Sequence, residues 1–352
     1  MTVVGSLGDH APQWDALLDL APRPSPFLRS WWLAAIEQAT ARYALITEGD
    51  ALIGGVALEA DRRLGVRRER LAGSGALAPH NLDVVAVPGR DAEICGLLDR
   101  QPWHQPPWIG DFFGVGPESS LLRYAPDSAR VDRLDGAPWL SLPSDFDAYL
   151  AARPKKLRQE IRRVERRLTE AGYEYRAVDH ADSDRAFSTF EALHRRRWGT
   201  GSHVLPELER LRLAVEAGAA RGEVAFQEIV VGRRVVATLL TLEVGGISSW
   251  YQTGREPDTR NVGTLLKARA IERSCRLGHR AIDLCVGEDP AKVQWADTVV
   301  PVLRVRWSAG RVGRLTLGAL AWLGARLRSA SRSSPVGAST PNRPPTAPGD
   351  DQ

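Results

Sequence analysis

Apolar and polar positions alternate in patterns that divide the chain into two mixed regions. In the first, "FLRSWWLAAIEQAT" reads as a helix. "RYALITE" and "ALIGGVALEA" read as strands, and the Gly49-Asp50 pair between them is a hairpin signal. "NLDVVAV" reads as another strand, and "DAEICGLLDR" as a helix opening on the N-cap residue Asp91. "PPWIGDFFGV" reads as a further strand. The segment "GAPWLSLPSDFDAYLAARP", 136–154, carries prolines and breakers and is expected to separate the two regions.

The second region opens with a helix predicted over 155–171, where Leu157, Ile161, Val164 and Leu168 form one apolar stripe. Helices are predicted over 182–197 and 206–221. "EVAFQEIVV", "RRVVATLLTLEV" and "GISSWYQTG" follow, punctuated by Gly232 and Gly245-Gly246, and predict an antiparallel meander. "NVGTLLKARAIERSCRLG" predicts a helix stopped by Gly278, and "AIDLCV" and "VLRVRWSA" predict strands. The first region holds a similar mixture without a residue-level repeat.

Composition narrows this picture only a little. A chain of 352 residues with 43% hydrophobic and 26% charged residues supports two ordinary cores. A net charge of +4 argues weakly for an anionic partner. Cys95, Cys275 and Cys285 are few, odd in number and not in CxxC spacing, so neither a disulfide framework nor a metal site is expected. The N-terminus lacks the order of a signal peptide, no apolar run reaches the roughly 18 residues of a membrane span, and a cytoplasmic location is expected. "LTLGALAWLGA", 315–325, flanked by arginines, fits an amphipathic helix over 311–328; it packs on its own domain or makes at most a peripheral membrane contact. Residues 329–352 have almost no large apolar side chains and are expected to be disordered.

Four stretches, "RPKKLRQEIRRVERRL", "LHRRRW", "WYQTGREPDTRNVGTLLKARAIERSCRLGHRAIDL" and "GEDPAKVQW", stand in an order that resembles the CelD/BcsL-type GNAT acyltransferases, relatives of the FemAB peptidoglycan aminoacyltransferases. The resemblance covers residues 145–307 and is much weaker over 27–140. It implies two packed GNAT-like domains, with residues 1–140 as a degenerate N-terminal one and 145–310 as the acyltransferase. It departs from acetyl-CoA-dependent relatives at "RNVGTL", which has Arg260 and Gly263 but no second glycine.

The donor turn, Arg260, Asn261, Val262, Gly263 and Thr264, joins a strand to a helix, where free N–H groups and the helix dipole favour a pyrophosphate. An ordinary strand-to-helix connection has the same pattern. In the implied fold the strand bearing Trp250, Tyr251 and Gln252 splays from "AIDLCV" and binds a pantetheine arm. Tyr251 is a candidate general acid, or a core aromatic. Glu288 and Asp289 are candidates for the base and for orienting the acceptor, with Lys292 and Trp295 as substrate contacts; a solvated acidic turn is the rival reading. His194 and Trp198 share a helical face and are candidate substrate contacts. Lys155, Lys156 and Arg158 open a helix whose basic face is a solvated one, a clamp on a phosphate-bearing substrate or a nucleic-acid surface. Cys285 ends a strand with no histidine near it in sequence and reads as a buried structural thiol.

The expected activity is acyl transfer, acetyl from acetyl-CoA in the first instance, to an amine or hydroxyl of a saccharide or lipid-linked cell-envelope or polysaccharide precursor. Direct attack without a metal is expected, since no nucleophile stands out. The alternatives are a FemAB-like aminoacyltransferase, whose aminoacyl-tRNA donor is the one nucleic acid in view, and a non-catalytic GNAT-fold partner of a biosynthetic enzyme.

Overall fold

A computed structural model describes residues 1–36, 40–75, 77–100, 108–257, 259, 261–309, 315, 316 and 318. The tail 329–352 and Arg260 lie outside the described residues, as does nearly all of 311–328. The fold is mixed α/β.

The first half contains β1 (Thr2–Val4), α1 (Ala11–Asp19), α2 (Ser30–Ile36), β2 (Ala41–Glu48), β3 (Ala51–Arg63), β4 (Val66–Leu71), the short β5 (Val85–Ala86), α3 (Asp91–Arg100), β6 (Trp108–Val115), α4 (Ser120–Arg123) and β7 (Arg130–Ser141). The second contains α5 (Phe146–Ala151), α6 (Lys155–Glu170), β8 (Tyr173–Val178), α7 (Ser183–Trp198), α8 (Leu208–Ala219), β9 (Val224–Val231), β10 (Arg234–Val244), β11 (Ile247–Arg255), α9 (Val262–Arg276), β12 (Ala281–Asp283), α10 (Pro290–Val293) and β13 (Thr298–Ala309).

One sheet runs through both halves in the order β1-β2-β3-β4-β6-β13-β7-β12-β11-β10-β9-β8, with β5 beside β3. Each half contributes a three-stranded antiparallel meander, then a helix, then a parallel strand: β2-β3-β4, α3, β6 and β9-β10-β11, α9, β12. The last strands are exchanged: β7 pairs with β12 of the other half, β13 pairs with β6, and β7 and β13 pair with each other. Residues 136–141, expected at a break, are therefore the end of a central strand, and the break falls after them, where Asp145 caps α5 through Ala148 N–H (2.7 Å). Prolines misled the reading because Pro138 lies in the strand itself, paired with Val299.

β13 alternates by the strand rule. Leu303, Val305 and Trp307 share one face and join the core, and Trp307 packs on Phe112 with ring centres 4.8 Å apart. On the opposite face Arg304 grips Asp111 of β6 through two hydrogen bonds of 2.6 Å. One core joins the halves: Phe27, Trp31 and Trp32 lie in the same cluster as Phe187, Phe190, Phe226 and Tyr251. Trp31 Nε1 crosses to Glu223 Oε2 at 2.6 Å. On the other sheet face a second cluster seats Leu157, Ile161, Val164 and Leu168 of α6 beside Leu265, Leu266 and Ile271 of α9. The apolar stripe predicted for α6 is the stripe it buries.

α7 lies against β11 so closely that a Cβ on Gly254 would fall 2.7 Å from Leu193 Cβ and 2.9 Å from the His194 backbone nitrogen. Backbone cannot yield as a side chain does, so G254A should cost about 1–3 kcal/mol. Denaturant unfolding checks this; an unchanged midpoint would mean that α7 shifts freely on the sheet.

Candidate active site

β11 and β12 pair in parallel over only three positions, Ile247↔Ala281, Ser248↔Ile282 and Ser249↔Asp283. Beyond these, β11 continues to Arg255 along β10, while the chain after Asp283 turns away. The β10–β11 register slips between Leu240 and Thr241, so Gln252 faces Leu240, Trp250 faces Thr241 and Tyr251 is the extra residue. Such a bulge bends a strand and sharpens its twist. The strands splay as expected, and a cavity of about 870 Å³ opens between them.

One wall is β11 from Trp250 to Arg255 and the other is Leu284 to Gly287. Asn261, Gly263, Thr264 and Lys267 of the α9 start form a third side, and Asp289, Lys292 and Trp295 come from α10 and its flanks. The first half contributes Ala78 and Asp135. α9 starts without a side-chain cap, since Asn261 adopts a left-handed φ of 57° and its side chain makes no capping bond. Its first N–H groups thus lie at the cavity. A Cβ at Gly263 would meet nothing within 4 Å, which leaves room for a ligand against the backbone.

The lining is cationic: Arg197, Arg255, Lys267 and Lys292 stand against Asp135, Glu160 and Asp289. Lys267 Nζ donates to the Ala291 carbonyl at 2.7 Å and lies 5.7 Å from the Trp295 ring centre. Burial, reinforced by the Lys292 and Arg197 charges, pushes its pKa down to about 8. Arg197 stacks on Trp198 at 4.5 Å and donates to Thr253 Oγ1. Burial and then the Arg255 charge pull it below the usual arginine range. The indole N–H groups of Trp250 and Trp295, both buried and both at the lining, have no hydrogen-bond partner among the described residues.

Of the residues singled out in the sequence, the cavity gathers Trp250, Gln252, Asn261, Gly263, Thr264, Trp198, Asp289, Lys292 and Trp295, and Tyr251 also touches it. Val262 points into the core instead. The structure corrects four other assignments. Tyr251 is buried against Phe27 and Trp32 and donates its hydroxyl to the Leu77 carbonyl at 2.8 Å. Burial drives its pKa well above the usual tyrosine value, so the hydroxyl is a fixed internal donor rather than an acid for the cavity. Glu288 is not among the lining residues and forms an ion pair with Arg133. Asp289, beside it in sequence, points the other way and caps α10 through Ala291 N–H (2.7 Å). His194 is buried, bridging the Thr253 carbonyl (3.1 Å) and Ser202 Oγ (2.7 Å). Burial holds it below the usual histidine pKa, and it ties α7 to β11. Lys155 and Lys156 are exposed, Arg158 donates to the Ala151 carbonyl, and none of the three lines the cavity. Sequence reasoning missed Lys267; its position one turn past Gly263 was the available signal.

Residues 155–293 match the family described as acetyltransferase (GNAT) domain. FemX superposes with a TM-score of 0.63 at 8% identity, covering 87% of this chain and 97% of that one. The C-terminal domain of a putative lysylphosphatidylglycerol synthetase from Agrobacterium fabrum superposes with a TM-score of 0.58 at 9% identity, covering 90% and 98%. L-PGS from Bacillus licheniformis does so with a TM-score of 0.55 at 10% identity, covering 90% and 97%. At these identities the likeness is one of fold, and it extends over both halves. Among curated proteins none matches the chain. The matched residues include β8 to β12, and with them both strands of the splay. Among the described residues no helix is long and apolar enough to cross a membrane.

Lys267 supplies a test of the cavity's electrostatics. Its folded pKa, about 8, lies below the ordinary lysine value of 10.5, so the unfolded chain binds more protons between these values. The penalty for burying the charge is complete below pH ~8 and disappears as pH rises toward ~10.5. Relative to K267M, the parent protein should therefore gain stability across that window. A pH-independent difference in unfolding free energy would place the ammonium in open solvent.

Proposed function

We propose that the protein transfers an acyl group from an acyl-CoA thioester, acetyl-CoA in the simplest case, to an amine or hydroxyl of a saccharide or lipid-linked precursor of the cell envelope or a polysaccharide. The splay of β11 from β12 over a cationic cavity carries this reading. A pantetheine arm is a chain of amides. The β11 edge beyond Ser249, freed from β12, offers it unpaired backbone groups. The uncapped start of α9 and the Arg197 guanidinium suit a pyrophosphate. At about 870 Å³ the cavity falls within the range of ligand and cofactor sites, roughly 300–1,000 Å³.

Asp289 is the carboxylate from the sequence reading that remains at the cavity, and we assign it the acceptor's proton. The Trp250 and Trp295 indoles offer flat faces to an aliphatic or saccharide group and unused N–H donors to its oxygens. A cytoplasmic location fits a CoA donor. The second reading, an aminoacyl donor on tRNA, is favoured by the exposed basic residues of α6 and by a fold shared with proteins whose name specifies an aminoacylated lipid.

Calorimetric titration separates these readings. CoA and acetyl-CoA should bind, and R197A or K292A should weaken them about tenfold, about 1.4 kcal/mol. Charged tRNA binding in place of CoA would move the assignment to aminoacyl transfer. Binding of neither would leave a partner protein that keeps the fold without the chemistry. In the CoA reading, D289N should lower turnover at least tenfold while the Kd for acetyl-CoA stays within a factor of three; full turnover would remove this carboxylate from the reaction.

A further inference from the structure

With the Tyr251 hydroxyl committed to the Leu77 carbonyl, the sulfur that leaves an acyl-CoA donor needs another source of a proton. A guanidinium does not give up its proton in a protein, so Arg197 and Arg255 at the lining cannot supply one. His203 and the two lysines, Lys267 and Lys292, are the other nitrogen groups there that titrate. His203 is exposed in the loop after α7, and Lys292 donates to the Val286 carbonyl at 2.8 Å.

Lys267 is placed differently. It follows Gly263 by four residues, so both lie on the face of α9 that lines the cavity. The residue is half-buried, with its ammonium 5.7 Å from the Trp295 ring centre. An ammonium has three N–H donors. Among the described residues Lys267 uses one, to the Ala291 carbonyl at 2.7 Å, and the others are left for whatever fills the cavity. The same Ala291 donates its N–H to Asp289 Oδ1 at 2.7 Å. One residue of α10 thus holds the ammonium by its carbonyl and the carboxylate by its amide. The Lys292 charge acts on Lys267 and also on Asp283 and Cys285, which puts the group near the point where β11 and β12 part.

We propose that Lys267 is the general acid of the reaction and protonates the departing thiol, while Asp289 takes the proton of the acceptor. This rests on the acyl-thioester reading of the cavity. As the acceptor amine or hydroxyl attacks the carbonyl carbon, its proton passes to the Asp289 carboxylate. The bond from that carbon to the donor sulfur breaks, and the sulfur takes a proton from the Lys267 ammonium. The products are the acylated acceptor and a free thiol. A proton then moves from the Asp289 carboxyl to the neutral Lys267 amine and restores both, with no electrons exchanged. Burial, then the Lys292 and Arg197 charges, hold Lys267 at about 8 against the opposing pull of Asp289 and Glu160. That is close to the roughly 8.5 of an ordinary thiol, and an acid matched in this way contributes typically about 10²–10⁴-fold. The ammonium is the working form, so its contribution is full below pH ~8 and fades above it.

The test compares two leaving groups. The full chain is given acetyl-CoA or S-(4-nitrophenyl) thioacetate, with hydroxylamine as a small amine acceptor, and thiol release is followed from pH 6 to 10. 4-Nitrothiolate is far more acidic than the CoA thiolate and leaves without a proton. K267R keeps the cation but has no proton to give. Its calorimetric Kd for acetyl-CoA should stay within threefold of the parent, while thiol release from acetyl-CoA at pH 7 falls at least tenfold. Release of 4-nitrothiolate should stay within threefold, and the fall in rate above pH ~8 should vanish from the acetyl-CoA profile. K292M should weaken acetyl-CoA binding and keep that fall. If K267R does not fold, K267M gives the same leaving-group comparison and pH profile. Parental acetyl-CoA turnover in K267R, or an equal loss on both thioesters, overturns the proposal; the second result would make Lys267 a fixed charge. No binding of acetyl-CoA by the parent removes the thioester reading itself, whereas binding with an unaffected K267R removes only the role of Lys267.

Discussion

The exchange of β7 and β13 is the constraint on which the rest of the structure depends. Each half ends in a strand that pairs with the parallel strand of the other half, and these two strands pair together at the centre of the sheet. Neither half can therefore complete its sheet alone. The backbone groups of β6 and β12 that face outward from each meander find partners only across the exchange, and an unpaired buried backbone group is costly. The bidentate Arg304–Asp111 contact and the Trp307–Phe112 packing add side-chain specificity to that pairing. The shared aromatic core beneath, from Phe27 and Trp32 to Tyr251, follows from it.

This arrangement explains how a site can form in the second half with residues from the first. β12 is short, three residues, and β7 holds its far edge. With that edge secured, β11 can diverge on the near side without unravelling the sheet, and the bulge at Tyr251 directs the divergence. The Tyr251 hydroxyl, held by the Leu77 carbonyl, anchors the loop after β4, and that loop carries Ala78 to the cavity and His80 to Asp283. A tyrosine that looked like a catalytic acid thus acts as a fastener between halves. The low dielectric this creates depresses the Lys267 pKa, raises that of Cys285 and makes each remaining charge in the cavity count for more.

Much of the fold was legible along the chain because it rests on local periodicity. The α6 stripe, the β9–β11 meander with its glycine turns, the β2–β3 hairpin and the α9 stop at Gly278 all appear where the apolar spacing and turn residues place them. β4 was not legible: "VRRERL" is polar, and its Arg68 and Glu69 are buried only because they meet Asp61, Asp111 and Arg67 in a charge network. Nor was β7, because Pro138 and the glycine before it read as a break in a segment whose strand partners come from 140 or more residues later. The site followed the same division. Asn261, Gly263 and Thr264 are local to a strand–helix turn and were visible. The opposite directions of Glu288 and Asp289 were not, since Arg133 and the α10 cap decide them.

By itself the amino-acid sequence determined most of the elements and their order, because hydrophobic period and turn chemistry act over a few residues; the two packed halves and the splay of β11 from β12 were expected through the resemblance to a known fold. Only the tertiary structure decided which strands close each sheet, which side chains face the cavity and which partners hold His194, Tyr251 and Cys285. Those outcomes depend on contacts between residues up to two hundred positions apart, whose geometry is set when two halves pack and exchange strands, and no local pattern records it.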